Sequence, residues 1–161
     1  MNMRAVPMLL LLSSLSIPAL SGAGDPINAL LIESRKAFVA AEREEDWATL
    51  KNNIWEVAQS RTAEKLADAY VRQVQMNHKA GVVVLNESIQ DIKIYREGGR
   101  QLALIEVDRS YELPTDPQKP VSTRETVYAF LEKGQTRWQF NVLGCFSESH
   151  IKKFFPSYPS W

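Results

Sequence analysis

The stretch GGRQLALIEVDRSYELP, residues 98–114, decides how this chain reads. Two glycines open it, a proline closes it, and the side chains between them alternate. Ala103, Ile105, Val107, Arg109, Tyr111 and Leu113 share one face, and Leu102, Leu104, Glu106 and Asp108 share the other. A period of two over that length is the signature of a long strand, here Gln101–Leu113, entered through a Gly98-Gly99 hairpin.

Working outward, Pro114, Pro117 and Pro120 mark a loop, because proline cannot donate to a ladder. Thr123–Lys133 is the next strand and Gly134 a turn. Thr136–Phe146 follows, with Trp138, Phe140 and Val142 opposite Gln139, Asn141, Leu143 and Cys145. Ser147 is placed to cap a short helix through Phe154. On the other side, Ile89–Tyr95 reads as a strand and Val82–Leu85 as a shorter β-branched run. Before Gly81 the period becomes helical. Asp25-Pro26 is a helix start, since Asp caps free N–H groups and Pro suits the first helical position. Ile27, Leu30, Leu31, Ser34, Phe38 and Ala41 then recur at helical spacing. A second helix starts at Asp46 and carries Trp47, Leu50, Ile54, Val57 and Ala58. A third, capped by Thr62, carries Ala63, Leu66, Ala67, Tyr70, Val71 and Val74 on one face. Helices followed by an antiparallel meander make an α+β domain, with the helices packed on one face of a curved sheet.

The pattern resembles the nuclear-transport-factor-2-like superfamily, the cone-shaped fold that also hosts ketosteroid isomerases. The Glu44–Trp47 step after the first helix carries part of the likeness. So do the two further helices before a long meander, and the closing pair Thr126–Phe130 and Thr136–Phe140 around Gly134. A cystatin-like sheet wrapping one helix shares the pattern. The resemblance implies a cone that serves catalysis, ligand binding or protein contact, and a homodimer formed through the sheet. No isomerase carboxylate or tyrosine position carries over by a matching motif.

Residues 1–23 read as a secretory signal peptide. Arg4 is the sole charge before Asp25, the apolar run from Val6 is broken by Pro7 and Pro18, and Ser21-Gly22-Ala23 offers small residues for cleavage. The run falls short of the roughly 20 residues that span a bilayer. Cleavage after Ala23 leaves residues 24–161 as a single domain, exported to the periplasm or secreted, with no stable membrane span. The full chain has 161 residues, with 19 Lys+Arg against 19 Asp+Glu. That balance argues against a general nucleic-acid binder, which needs a basic excess. The single cysteine, Cys145, permits no intramolecular disulfide.

Chemistry-bearing residues are sparse. His78, His150 and Cys145 fit no ligand spacing, so neither a metal nor another cofactor is expected. Cys145 sits among Leu143, Gly144 and Phe146, which favours a buried inert thiol over a nucleophile paired with His150. Glu106, Asp108 and Glu125 could supply a base if they clustered. Their alternative is a wet sheet face on which Arg100, Arg109, Arg124 or Arg137 pair with them. No phosphate-cradling loop and no Gly-x-Ser-x-Gly elbow occurs. Asn86-Glu87-Ser88 fits a glycosylation sequon. Phe154, Phe155, Tyr158 and Trp161 form an aromatic tail that either packs back on the domain or docks a partner.

Without a catalytic constellation, the expected function is a non-catalytic exported binding module. It would hold a small apolar ligand or a protein partner, with Tyr111, Tyr128 and Asn141 as polar-tipped lining residues. The alternatives are a cone-fold isomerase, hydratase or small hydrolase using Glu106, Asp108 or Glu125, and an envelope interaction or immunity-type protein using the sheet or the tail.

Overall fold

Asp25 caps the first helix as expected: its Oδ1 accepts the Ile27 N–H at 2.9 Å, and Pro26 takes the first helical position. The computed structural model describes residues 25–55, 61–116, 118–141 and 148–158. Helix α1 (Pro26–Arg43) buries Leu31, Ser34, Phe38 and Ala41 along one stripe. Glu45, at φ 59°, turns the chain into α2 (Trp47–Asn52). There the Asp46 carboxylate accepts the Thr49 N–H at 3.1 Å. Helix α2 is shorter than the sequence pattern implies: it ends at Asn52, and Ile54 instead makes a parallel bridge to Phe140. Helix α3 (Arg61–Lys79) includes Thr62 within it and buries Ala67 and Val74.

The sheet is a four-stranded antiparallel meander, β1-β2-β3-β4. Its first strand differs from expectation. Val82–Leu85 and Ile89–Tyr95 are parts of one strand, β1 (Val83–Glu97), with register shifts between Val84 and Asn86 and between Ile89 and Asp91. Each shift places an extra residue, Leu85 and then Gln90, on β1, which bends the strand and blurs a strict period of two. The alternation read for residues 101–113 holds in β2 (Arg100–Glu112) and continues across β3 (Val121–Leu131). Ala103 faces Ala129, Ile105 faces Val127 and Val107 faces Ile89. These residues form the inner face, which meets the helices.

Strand β4 is Gln139–Phe140, later than the expected start at Thr136, and it pairs with β3 on one edge. The other edge of Phe140 is already taken: its N–H donates to the Asn53 carbonyl (2.8 Å), and its carbonyl accepts the Trp55 N–H (2.9 Å). Residues 142–147, with Cys145, lie outside the described residues, as do residues 1–24, where a leader was expected.

The outer face has its own small core. Leu102, Leu104 and Phe130 are covered by Trp55 and by α4 (Glu148–Phe154), with Ile151, Phe155 and Tyr158 buried against them. Trp55 stacks on Phe130 at 3.7 Å between centroids, and Tyr158 meets Tyr95 at 5.2 Å. The aromatic residues Phe154, Phe155 and Tyr158 therefore pack back on the domain, against its outer sheet face. Trp161 lies outside the described residues.

Candidate functional site

Arg109 falls in phase with Ala103, Ile105 and Val107, so the strand that carries it must point its guanidinium at the helices. The structure places it there, 6% exposed, with Arg35 at 4% and Glu42 at 6%. The charges answer one another. Arg35 donates from Nε and Nη2 to the two oxygens of Glu87, both at 2.7 Å. Arg109 donates from Nε to Glu87 Oε2 and from Nη2 to Glu42 Oε2, both at 2.9 Å. Glu87 lies opposite Arg109 in the β1–β2 register, while Arg35 and Glu42 come from α1. The network thus ties the helix to two strands with two positive and two negative side chains. The Arg35 guanidinium also sits 5.0 Å from the Phe38 ring centre and 5.1 Å from that of Phe140.

The electrostatics follow from burial and partners. Burial pushes the Glu87 carboxyl up, but the hydrogen bonds and charges of Arg35 and Arg109 outweigh it and hold it below the ordinary carboxylate value. Burial opposes the charge on Arg109, yet Glu42 and Glu87 keep it more firmly protonated than usual. Tyr70, on α3 beside this network, is raised to about 12 by burial, with Glu42 adding and Arg109 and Arg35 opposing. Tyr111 is raised too, by burial and Glu125, against the pull of Arg109.

The acids singled out from the sequence do not converge. Glu106 and Asp108 are on the outer face, where Asp108 lies opposite Arg124 and accepts its Nε (2.7 Å) and Nη2 (3.0 Å). That exposed pair is the cross-strand alternative realised. Glu125 faces inward, in register with Val107. Its Oε1 accepts the Tyr111 hydroxyl at 3.0 Å and the Thr123 hydroxyl at 2.8 Å. One residue along a strand changes the face, which is why Glu125 separates from the other two.

The expected lining residues are also divided. Tyr111 is half-buried on the inner face, near Arg109. Tyr128 is on the outer face against the second core. Asn141 follows β4, and its N–H donates to the Tyr128 carbonyl at 2.8 Å. His78 packs edge-on to Trp47, with Nδ1 3.6 Å from Glu45. Among the described residues no group of three or more His, Cys, Asp or Glu is placed to hold a metal ion.

A cleft of about 440 Å³ opens between α1 and the edge strand β1. Ile32, Val39, Ala40 and Ile89 supply its apolar lining, Lys36 and Arg43 its exposed cations. The Arg35–Glu87 pair forms part of its wall, and Asn86 completes it. Neither this cleft nor the ionic network was legible in the sequence: Glu87 stood out only in a glycosylation sequon, Tyr70 only in a helical stripe, and Arg35 and Glu42 not at all. The available signal was Arg109, a charge at a core position of an otherwise apolar strand face.

Several solved structures are similar to this chain. A conserved protein from Planctomyces limnophilus matches over 71% of this chain and 90% of its own, with a TM-score of 0.50 and 7% identity. A designed nuclear-transport-factor-2-like protein matches over 71% and 95%, with a TM-score of 0.45 and 15% identity. An LEH-like epoxide hydrolase from M. tuberculosis matches over 81% and 99%, with a TM-score of 0.39 and 19% identity. No protein-family model and no curated protein matches the chain. Element order and topology give it an α+β fold, with N-terminal helices on the inner face of a four-stranded antiparallel meander. Such a fold carries no function by itself. Among the described residues, no helix is long and apolar enough to cross a membrane.

Proposed function

We propose that this chain is an exported, non-catalytic binding module whose small ligand occupies the cleft between α1 and β1. The observation that carries this reading is the mutual neutralisation of Arg35, Arg109, Glu42 and Glu87 between α1 and the sheet. A general base works best with a pKa near the operating pH. Glu87 is shifted the other way, and both its oxygens receive arginine N–H groups. These charges suit holding helix to sheet better than moving protons. The cleft beside them lies in the range of roughly 300–1,000 Å³ usual for small-molecule sites, and its lining is mostly apolar.

Native mass spectrometry of the chain purified from its own compartment tests this. The expected result is an adduct on the order of a few hundred daltons, the size of ligand such a volume admits. Ala40→Trp, which fills the cleft, should remove it. A bare chain, or an adduct that survives Ala40→Trp, would overturn the assignment.

A cone-fold enzyme is the second reading, and Glu125 is what favours it. It is the one candidate acid on the inner face, and it is joined to Tyr111. Glu125→Gln would abolish turnover in an esterase, hydratase or isomerase screen if that reading is right, and no turnover by the parent chain would count against it.

A further inference from the structure

The α1–β1 cleft has a polarity that narrows its ligand. Residues 32, 36, 39, 40 and 43 recur at helical spacing and form a stripe on α1 beside the fully buried one. Lys36 and Arg43 are two turns apart, roughly 10 Å along the helix axis, with the apolar lining between and beside them. The one acid in the lining, Glu87, is already matched by Arg35 and Arg109. Among the described residues, neither Lys36 nor Arg43 has a salt-bridge acid within 4.0 Å. The net charge of the cleft is therefore positive, carried at its rim over an apolar floor.

We propose that this cleft binds an anionic amphiphile, a medium-chain monocarboxylate. Its head meets Lys36 and Arg43, and its tail lies on Ile32, Val39, Ala40 and Ile89. The inference rests on the binding-module reading of the same cleft and names the ligand class. A purely apolar ligand leaves the cations unanswered, a cationic one is repelled, and an inorganic anion makes no use of the floor.

Calorimetric titration of the chain as purified from its own compartment with decanoate, decanol and decyltrimethylammonium is the test. Decanoate should bind at least about tenfold more tightly than decanol, with the ammonium weakest, since a charge-assisted contact is worth roughly that factor. The double variant Lys36→Glu, Arg43→Glu should reverse the order, with decanoate binding more weakly than decanol and decyltrimethylammonium binding more tightly than it does to the parent chain. Both side chains are exposed on a helix, so this variant keeps the fold. Equal binding of decanoate and decanol, sensitive to Ala40→Trp, would overturn the anionic assignment and leave the cleft a binding site. Binding of none of the three, or binding indifferent to Ala40→Trp, would overturn both.

Discussion

Arg109 shows what a single residue does in this fold. It is a charge placed by strand alternation on a face that is otherwise core, and it is tolerated because Glu42 and Glu87 meet it there. Removing one member of such a group leaves another charge buried without its partner, at a cost of about 3–5 kcal/mol. Arg109→Met should therefore lower urea stability by that order, and adding Glu42→Leu should recover part of the loss. A cost under about 1 kcal/mol would mean that the network does not hold helix to sheet. The titration of the same cluster gives a pH signature. Glu87 is depressed in the folded state, so its contribution is fully present above its ordinary value of 4.5 and is lost as pH falls through the lower folded value. Tyr70 is raised from 10.0 to about 12, so stability is full below the first value and declines as pH rises toward the second. Over that interval the share due to Tyr70 should reach about 2–3 kcal/mol, and Tyr70→Phe should remove that share in urea unfolding at alkaline pH, leaving the part due to Tyr111.

At the scale of elements, the division into helices and then strands was legible, and most boundaries fell close to the capping and turn residues. Asp25, Asp46 and Gly134 announce their turns because a side-chain oxygen or a positive φ meets a strictly local need. Strand β1 was less legible, since its two extra residues break the period that identifies a strand. The second partner of Phe140 was illegible, because the Asn53–Trp55 segment that shares its hydrogen bonds lies far away in sequence. The C-terminal element has a consequence that can be measured. Tyr158 is buried against Tyr95, so deleting residues 156–161 should cost about 2–4 kcal/mol in thermal or urea unfolding, as loss of a buried aromatic does. Unchanged stability would return weight to a docking role for the tail.

For the whole molecule, the helices cover the inner sheet face, α4 packs on part of the outer one, and a cleft opens at the α1–β1 edge. The proposed export belongs to this scale too, and it rests on the sequence of residues 1–23. Expressed in a secreting host with its leader, the chain should be recovered outside the cytoplasm with an intact mass equal to residues 24–161. A recovered mass that still includes the leader would favour a retained anchor.

The candidate site divides along the same physical line. The apolar alternation of residues 101–113, the helical stripes of α1 and α3, and the charge phase of Arg109 are local or periodic, and the sequence by itself determined them. It determined too that Glu106 and Asp108 share a face. That Glu87 stands opposite Arg109 follows from the bulge after Val84, which sets the register of β1 on β2. That Arg35 and Glu42 reach those strands follows from how α1 lies across the sheet. Pairings of this kind join residues up to 67 positions apart. Any one strand or helix presents a charge without naming its partner, so only the tertiary structure decided that four of them cancel and that Lys36 and Arg43 are left facing an apolar cleft.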